Sequence, residues 1–229
     1  MVAFALATRA KSTSQTPARV AEMSSSSSTS APQPSITVFA GPNGSGKTTI
    51  TNVLAAELQI GMLVNADVMA ARAARSGGLS QAPYELQMRA AIEAEELRKS
   101  MIRDRLSFAT ETVMSDSERW IRFFNEAREQ GFFLRLIFIS TSDPAINVAR
   151  VAQRVAAGGH HVDPDKVISR YYKTHAFLPT VLSLVDDAFV FDNSDDEAGS
   201  VLVLTKAAPA PLRVMVPMAK LPAWARALL

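Results

Sequence analysis

Residues 41–49 carry the residue types that hold a polyphosphate. Gly41-Pro42-Asn43-Gly44-Ser45-Gly46-Lys47-Thr48, followed by Thr49, fits G-x-x-x-x-G-K-[ST] without a mismatch. The glycines let the backbone turn so that successive N–H groups face a β-phosphate. Lys47 is spaced to reach β- and γ-phosphate oxygens, and the Thr48 hydroxyl is suited to Mg²⁺. The loop therefore predicts a nucleoside triphosphate, ATP or GTP, together with magnesium. It does not say which reaction follows.

Other charged residues have to decide that. Asp67, in Asn65-Ala66-Asp67, follows a short apolar run. Its carboxylate suits a general base for an attacking hydroxyl, and equally an N-cap for a helix starting near Val68. Glu111 follows the apolar run 107–110, at the edge where open α/β sheets bind ligands; the bland alternative is a solvated turn. Arg154 and Arg170 are permanently charged and can each bond two phosphate oxygens. Gly158-Gly159 gives the segment around Arg154 the flexible end that a closing lid needs; the alternative is two surface arginines. Arg150 lies one turn before Arg154 and can share its role. His160, His161 and Asp163 lack a well-spaced third ligand and read as a lid turn, with His160 near the nucleotide, rather than as a metal site. Asp192-Asn193-Ser194 reads either as a contact to the base or as a turn.

These residues need a scaffold, and the hydrophobic pattern predicts one. Strands are expected at 36–40, 61–64, 107–110, 132–140, 188–191 and 201–204. Helices are expected at 47–58, 84–105, 117–130, 144–157 and 164–184, with Ser117 as an N-cap, Gly131 past a C-terminus and a break at Pro179. Trp120, Phe123 and Phe124 read as helix core. Strand–helix alternation implies a three-layer α/β fold with a mostly parallel sheet, of the P-loop, nucleotide-kinase-like kind. The domain is expected over 36–206, between a tail at 1–35 and a second tail at 207–229.

Composition excludes several classes. The chain has 229 residues and no cysteine, which removes disulfides, thiolate metal sites and cysteine nucleophiles. Twenty-four basic residues nearly cancel 22 acidic ones, so a dedicated nucleic-acid surface is not expected. No apolar run approaches the length of a membrane span, and the reading is cytoplasmic. Residues 1–35 are rich in Ser and poor in acids, and predict disorder. An organellar transit segment, or an over-extended start with Met23 as initiator, are the other readings of that stretch.

Among P-loop classes, transporter-type ATPases need a downstream LSGGQ-like segment and a strand ending in Asp-Glu. Here Ser76–Gln81 is a scrambled echo in the wrong place, and Asp192 is followed by Asn193. No N-K-x-D segment marks a GTPase. The ordered set Gly41–Thr48, Asn65-Ala66-Asp67, Phe108–Thr112, Arg154–His160 and Arg170-Tyr171-Tyr172 resembles the zeta toxin family, in its chromosomal branch. The resemblance spans roughly residues 35–195. It implies a nucleotide-kinase-like fold and transfer of the γ-phosphate of ATP or GTP to a hydroxyl of UDP-N-acetylglucosamine. It implies Asp67 as the base, Lys47 and Thr48 at phosphate and magnesium, and Glu111 near metal and acceptor. It further implies Thr110 and Thr112 at the acceptor, and Arg154 and Arg170 closing over the triphosphate. A toxin role requires a protein antitoxin as partner. The segment 68–105 has no pattern that identifies the acceptor, so other small hydroxyl compounds, or a nucleotide-binding regulator without an acceptor, stay open.

Overall fold

Along the first strand, Ile36, Val38 and Ala40 alternate with Thr37 and Phe39, and all five are buried. A strand buried on both faces needs a layer of helices on each side. The computed structural model describes residues 33–58, 60–159 and 161–229. The seven strands are β1 (Ser35–Ala40), β2 (Met62–Val64), β3 (Phe108–Thr112), β4 (Phe133–Ser140), β5 (Asp187–Asp192), β6 (Val201–Ala207) and β7 (Arg213–Val214). The helices are α1 (Lys47–Glu57), α2 (Ala66–Ser76), α3 (Tyr84–Arg103), α4 (Ser117–Glu129), α5 (Pro144–Ala156), α6 (Pro164–Leu184) and the short α7 (Ala223–Arg226).

The sheet order is β2-β3-β1-β4-β5-β6-β7. The first five strands run parallel, and β6 and β7 add antiparallel. Ile50 and Leu54 of α1 pack with Phe39, Ile137 and Phe189 on one face. Residues from α3, α4 and α6 pack with Ile36, Val38 and Leu136 on the other. This is the three-layer α/β fold. β1 lies between β3 and β4, so the chain leaves it at the point where the strand order reverses, the usual ligand crevice of an open sheet.

Several expectations need correcting. The N-cap of α4 is Asp116, whose side chain accepts from the Arg119 N–H at 3.1 Å, not Ser117. Helix α6 runs unbroken through Pro179. The proline is exposed, and the buried Thr174, Phe177, Leu178, Val181 and Leu182 hold the helix on both sides of it. Strand β3 extends to Thr112, which puts Glu111 inside the strand and not after it.

The segment set apart as a C-terminal tail contributes β7 and buries Leu221 and Ala225 in the main core. Trp224 stacks on His175 of α6 with ring centroids 5.1 Å apart, and its Nε1–H donates to Asp192 Oδ1 at 3.2 Å. His175 Nε2 lies 2.6 Å from Ser140 Oγ, and burial pushes this imidazole down to about 4. The readings of 1–32 and of His160 fall outside the described residues. Among the described residues, no helix is long and apolar enough to cross a membrane.

Candidate active site

The turn between β1 and α1 requires glycine. Gly46 sits at φ 89, and a Cβ there would come within 2.3 Å of Asn193 Nδ2. Gly41 sits at φ 146, with a Cβ 1.9 Å from the Ile139 carbonyl oxygen. Three loop carbonyls are tied by side chains. Lys47 Nζ donates to Pro42 O at 2.9 Å, Asn147 Nδ2 to Asn43 O at 2.6 Å, and Asn193 Nδ2 to Ser45 O at 2.8 Å. With the carbonyls held this way, the first-turn N–H groups of α1 lack helical partners and are left for an anion. Ser45 Oγ is buried without a hydrogen-bond partner among the described residues. An orphaned polar atom inside such a cradle fits a loop built around a polar ligand.

The Lys47 ammonium is buried at this loop. Burial pushes it down to about 8; Glu111 and Asp67 oppose the shift, while Arg154 and Arg170 add to it. The structure thus brings Asp67, Glu111, Arg154 and Arg170 into electrostatic reach of one group, from α2, β3, α5 and α6.

Each of the four is positioned by a local device. Asn65 caps α2, accepting from the Asp67 and Val68 N–H groups at 2.9 and 3.3 Å. The cap role considered for Asp67 therefore belongs to Asn65, and Asp67 stands exposed in the first turn. Glu111 spans to α1, accepting from Thr48 Oγ1 at 2.9 Å and Thr51 Oγ1 at 3.4 Å. Arg154 lies in the last turn of α5, just before the turn in which Gly158 takes φ 85. Arg170 Nη1 donates to Asn43 Oδ1 of the loop at 3.3 Å. The Thr48 hydroxyl and the Glu111 carboxylate form the hard-oxygen pair that suits Mg²⁺, which takes one or two protein oxygens and completes its shell with phosphate and water. Among the described residues no cluster of three or more His, Asp or Glu is built to hold a metal.

With this geometry in view, comparison with known proteins gives the relationship. Residues 36–178 match the model of an AAA domain. The chain belongs to this AAA-domain family. An uncharacterised Haemophilus influenzae protein is 30% identical over 133 residues, covering 58% of this chain and 89% of that protein. The fold is similar to the AvrRxo1-ORF1:AvrRxo1-ORF2 complex with ATP, with TM-score 0.64, 19% identity, 92% of this chain covered and 67% of the other. In the native complex this chain spans 61% of the matched chain. The fold is also similar to the PezAT chromosomal toxin–antitoxin system of Streptococcus pneumoniae, with TM-score 0.54, 16% identity, and 83% and 80% of the two chains covered.

Within this AAA-family domain, some sequence-read residues take other places. Thr110 is fully buried and donates to Val64 O at 2.9 Å, holding β2 to β3 rather than facing a ligand. Thr112 Oγ1 accepts from the Met114 N–H at 2.9 Å, in the turn that leaves the sheet. Arg150 donates to Asn193 O and to Asp196, both at 2.7 Å, so it braces the β5–β6 connection and does not share the role of Arg154. Asn193 holds the phosphate loop, a role distinct from either a base contact or a plain turn. Asn147 was missed altogether. Its signal was an asparagine on the buried face of a helix, where an amide is retained only when it has partners.

Proposed function

We propose that this chain is a phosphotransferase related to zeta toxins, moving the γ-phosphate of ATP or GTP to a hydroxyl of a small molecule such as UDP-N-acetylglucosamine. The observation that carries this is the convergence of two carboxylates and two guanidiniums on Lys47 beside the phosphate loop. Asp67 lies on its own helix, apart from the Thr48–Glu111 pair, and its carboxylate suits a base for an attacking O–H; an alcohol and water are separated by the labelled-acceptor test below.

In the step, the acceptor oxygen attacks the γ-phosphorus as its proton passes to the Asp67 carboxylate. The bond from the γ-phosphorus to the β,γ-bridging oxygen breaks, and the nucleoside diphosphate leaves. Lys47, Arg154 and Arg170 neutralise charge on the transferring group, the main catalytic lever in phosphoryl transfer. Thr48 and Glu111 would hold Mg²⁺, which when bound shields the β- and γ-phosphate oxygens. We infer a cytoplasmic reaction from the two substrates proposed. The partner chains of the AvrRxo1 and PezAT assemblies support a protein antitoxin as a further partner.

The test is incubation with labelled ATP, Mg²⁺ and a panel of hydroxyl acceptors including UDP-N-acetylglucosamine, with Asp67→Ala as control. A labelled acceptor that disappears with the variant supports the reading. Absence of any labelled acceptor, or full activity in the variant, sinks it.

A further inference from the structure

The first half of α6 is tied to the sheet by polar side chains and not by packing alone. The Tyr171 hydroxyl donates to Thr141 O at 2.7 Å, and the Thr174 hydroxyl to Val113 O at 3.0 Å. His175 Nε2 lies 2.6 Å from Ser140 Oγ. Ser140 ends β4 with Thr141 after it, and Val113 follows β3. All three ties therefore land at the carboxyl edge of the sheet, where the phosphate loop sits. Tyr171 and His175 are one helical turn apart, as are Arg170 and Thr174. Two such pairs fix how the helix is rotated about its axis. That rotation turns Arg170 toward Asn43 of the loop.

His175 is held in turn from outside the helix. Trp224 stacks on it with the two rings 9° from parallel, and Tyr171 meets it edge-on with centroids 4.1 Å apart. The indole is itself braced, since its N–H donates to Asp192 Oδ1, which also accepts from the Ser194 hydroxyl at 2.8 Å. Asp192 ends β5, and the next residue, Asn193, holds Ser45 O of the phosphate loop. Leu221 and Ala225 already bury the C-terminal segment by apolar contact. Anchorage alone does not require an indole bonded to a carboxylate at the ligand edge, nor an imidazole desolvated beneath it. Trp224 also lies beyond residues 36–178 of the family match.

We propose that Trp224 is a positioning residue for the triphosphate site: stacked on His175 and braced by Asp192, it sets the rotation of α6 and so the reach of Arg170 to the phosphates. The role of Arg170 rests on the reading of the site given above, but the clamp acts on nucleotide binding whether or not an acceptor follows. Linkage makes the coupling reciprocal. If Trp224 sets the place of Arg170, a triphosphate that draws on Arg170 must change the surroundings of the indole. A tail that is only docked predicts neither effect.

The first measurement follows the indoles. Trp120 and Trp224 are the two tryptophans of the chain. With fluorinated tryptophan incorporated, fluorine NMR gives a resonance for each, and Trp224→Phe assigns them. A non-hydrolysable ATP analogue with Mg²⁺ is expected to shift the Trp224 resonance and to leave that of Trp120 in place. In Arg170→Ala the Trp224 shift is lost. An unmoved Trp224 resonance, an equal shift at Trp120, or an unchanged shift in Arg170→Ala overturns the clamp. The second measurement is a double-mutant cycle on calorimetric affinity for the same analogue. Trp224→Ala and Arg170→Ala are each expected to weaken binding by about tenfold. The double variant is expected to stay within about twofold of Arg170→Ala. Trp224→Phe, which keeps a ring on His175, recovers part of the loss. Additive losses, or wild-type affinity in Trp224→Ala, overturn the proposal. Thermal melts of each variant establish that it is folded, and the resonance shift is read on the wild-type chain should Trp224→Ala melt early. If both measurements come out as expected but no acceptor is ever labelled, the clamp stands and the phosphotransferase reading fails.

Discussion

On the nucleotide side, three carbonyls of one loop, those of Pro42, Asn43 and Ser45, are tied by side chains from α1, α5 and the residue just after β5. On the proposed acceptor side, Asp67 rides in the first turn of α2, and Val68 of that helix and Tyr84, Met88 and Ile92 of α3 are exposed. The first region is over-determined by polar contacts among buried groups. The second is held mainly by the packing of Ala90, Ala94, Met101 and Ile102 behind it. The difference fits the chemistry. A triphosphate is invariant and rewards a rigid cradle, while an acceptor must enter, be selected and leave, which draws on less tightly held elements.

The sharpest way to separate the two sides is Asp67→Asn. As general base, Asp67 is expected to contribute about 10²–10⁴-fold to kcat. Affinity for the nucleotide, measured with a fluorescent ATP analogue, should scarcely change. A large loss of nucleotide affinity would mean that Asp67 belongs to the cradle, and the division would fail. Gly46→Ala probes the other side. Its left-handed φ alone costs about 1–2 kcal/mol for a residue with a Cβ, and the added atom would strike the Asn193 amide. Nucleotide affinity should fall by about tenfold or more on the strain alone. Wild-type affinity would show that the Asn193 tie is dispensable.

The pH dependence is the next largest effect. The folded, nucleotide-free Lys47 loses its proton at about 8, against 10.5 for the ordinary side chain. The triphosphate needs the ammonium form, so affinity should weaken by about tenfold between pH 7 and pH 9. Stability runs the other way. Between about 8 and 10.5 the unfolded chain holds the proton that the folded chain has released, so the nucleotide-free fold gains stability as pH rises through that window. Lys47→Met should abolish both slopes in titrations and melts. Persistence of either would assign it to another group.

How much of this was legible in the sequence depends on whether the cause was local. The phosphate loop, its flanking strand and helix, and the acid after β2 follow from short-range patterns, and the structure places them accordingly. The cap at Asn65 was hidden because Asn and Asp compete for the same role two residues apart. A charged residue reads as a strand end, which sets Glu111 past the strand, but β3 continues beside β1 with Phe39 paired to Glu111. The C-terminal segment gave no periodic pattern, since its order comes from single anchors such as Trp224 on His175. Asn147 and Thr110 depend on partners from other elements, which no local pattern contains. Pro179 misled because a proline that faces solvent, in a helix packed on both sides of it, is tolerated.

The smallest predicted effects test the contrast at its margins. Asn147 is fully buried; it accepts from the Thr141 hydroxyl and donates to Asn43 O. Asn147→Ala leaves the Asn43 carbonyl without this partner and the Thr141 hydroxyl with the Asp143 carbonyl alone, a cost of about 1–3 kcal/mol. For a domain of this size that lowers Tm by about 2–4 °C per kcal/mol, and the loosened Asn43 carbonyl weakens nucleotide binding a few-fold. Met88, 45% exposed on the outer face of α3, is the matched control. Met88→Ala should stay within about 0.5 kcal/mol of wild type, with or without nucleotide. Melting both variants in the presence and absence of ATP measures the contrast directly. If Met88→Ala costs as much as Asn147→Ala, the α3 face is covered by something in solution, and the acceptor side is held as firmly as the phosphate loop.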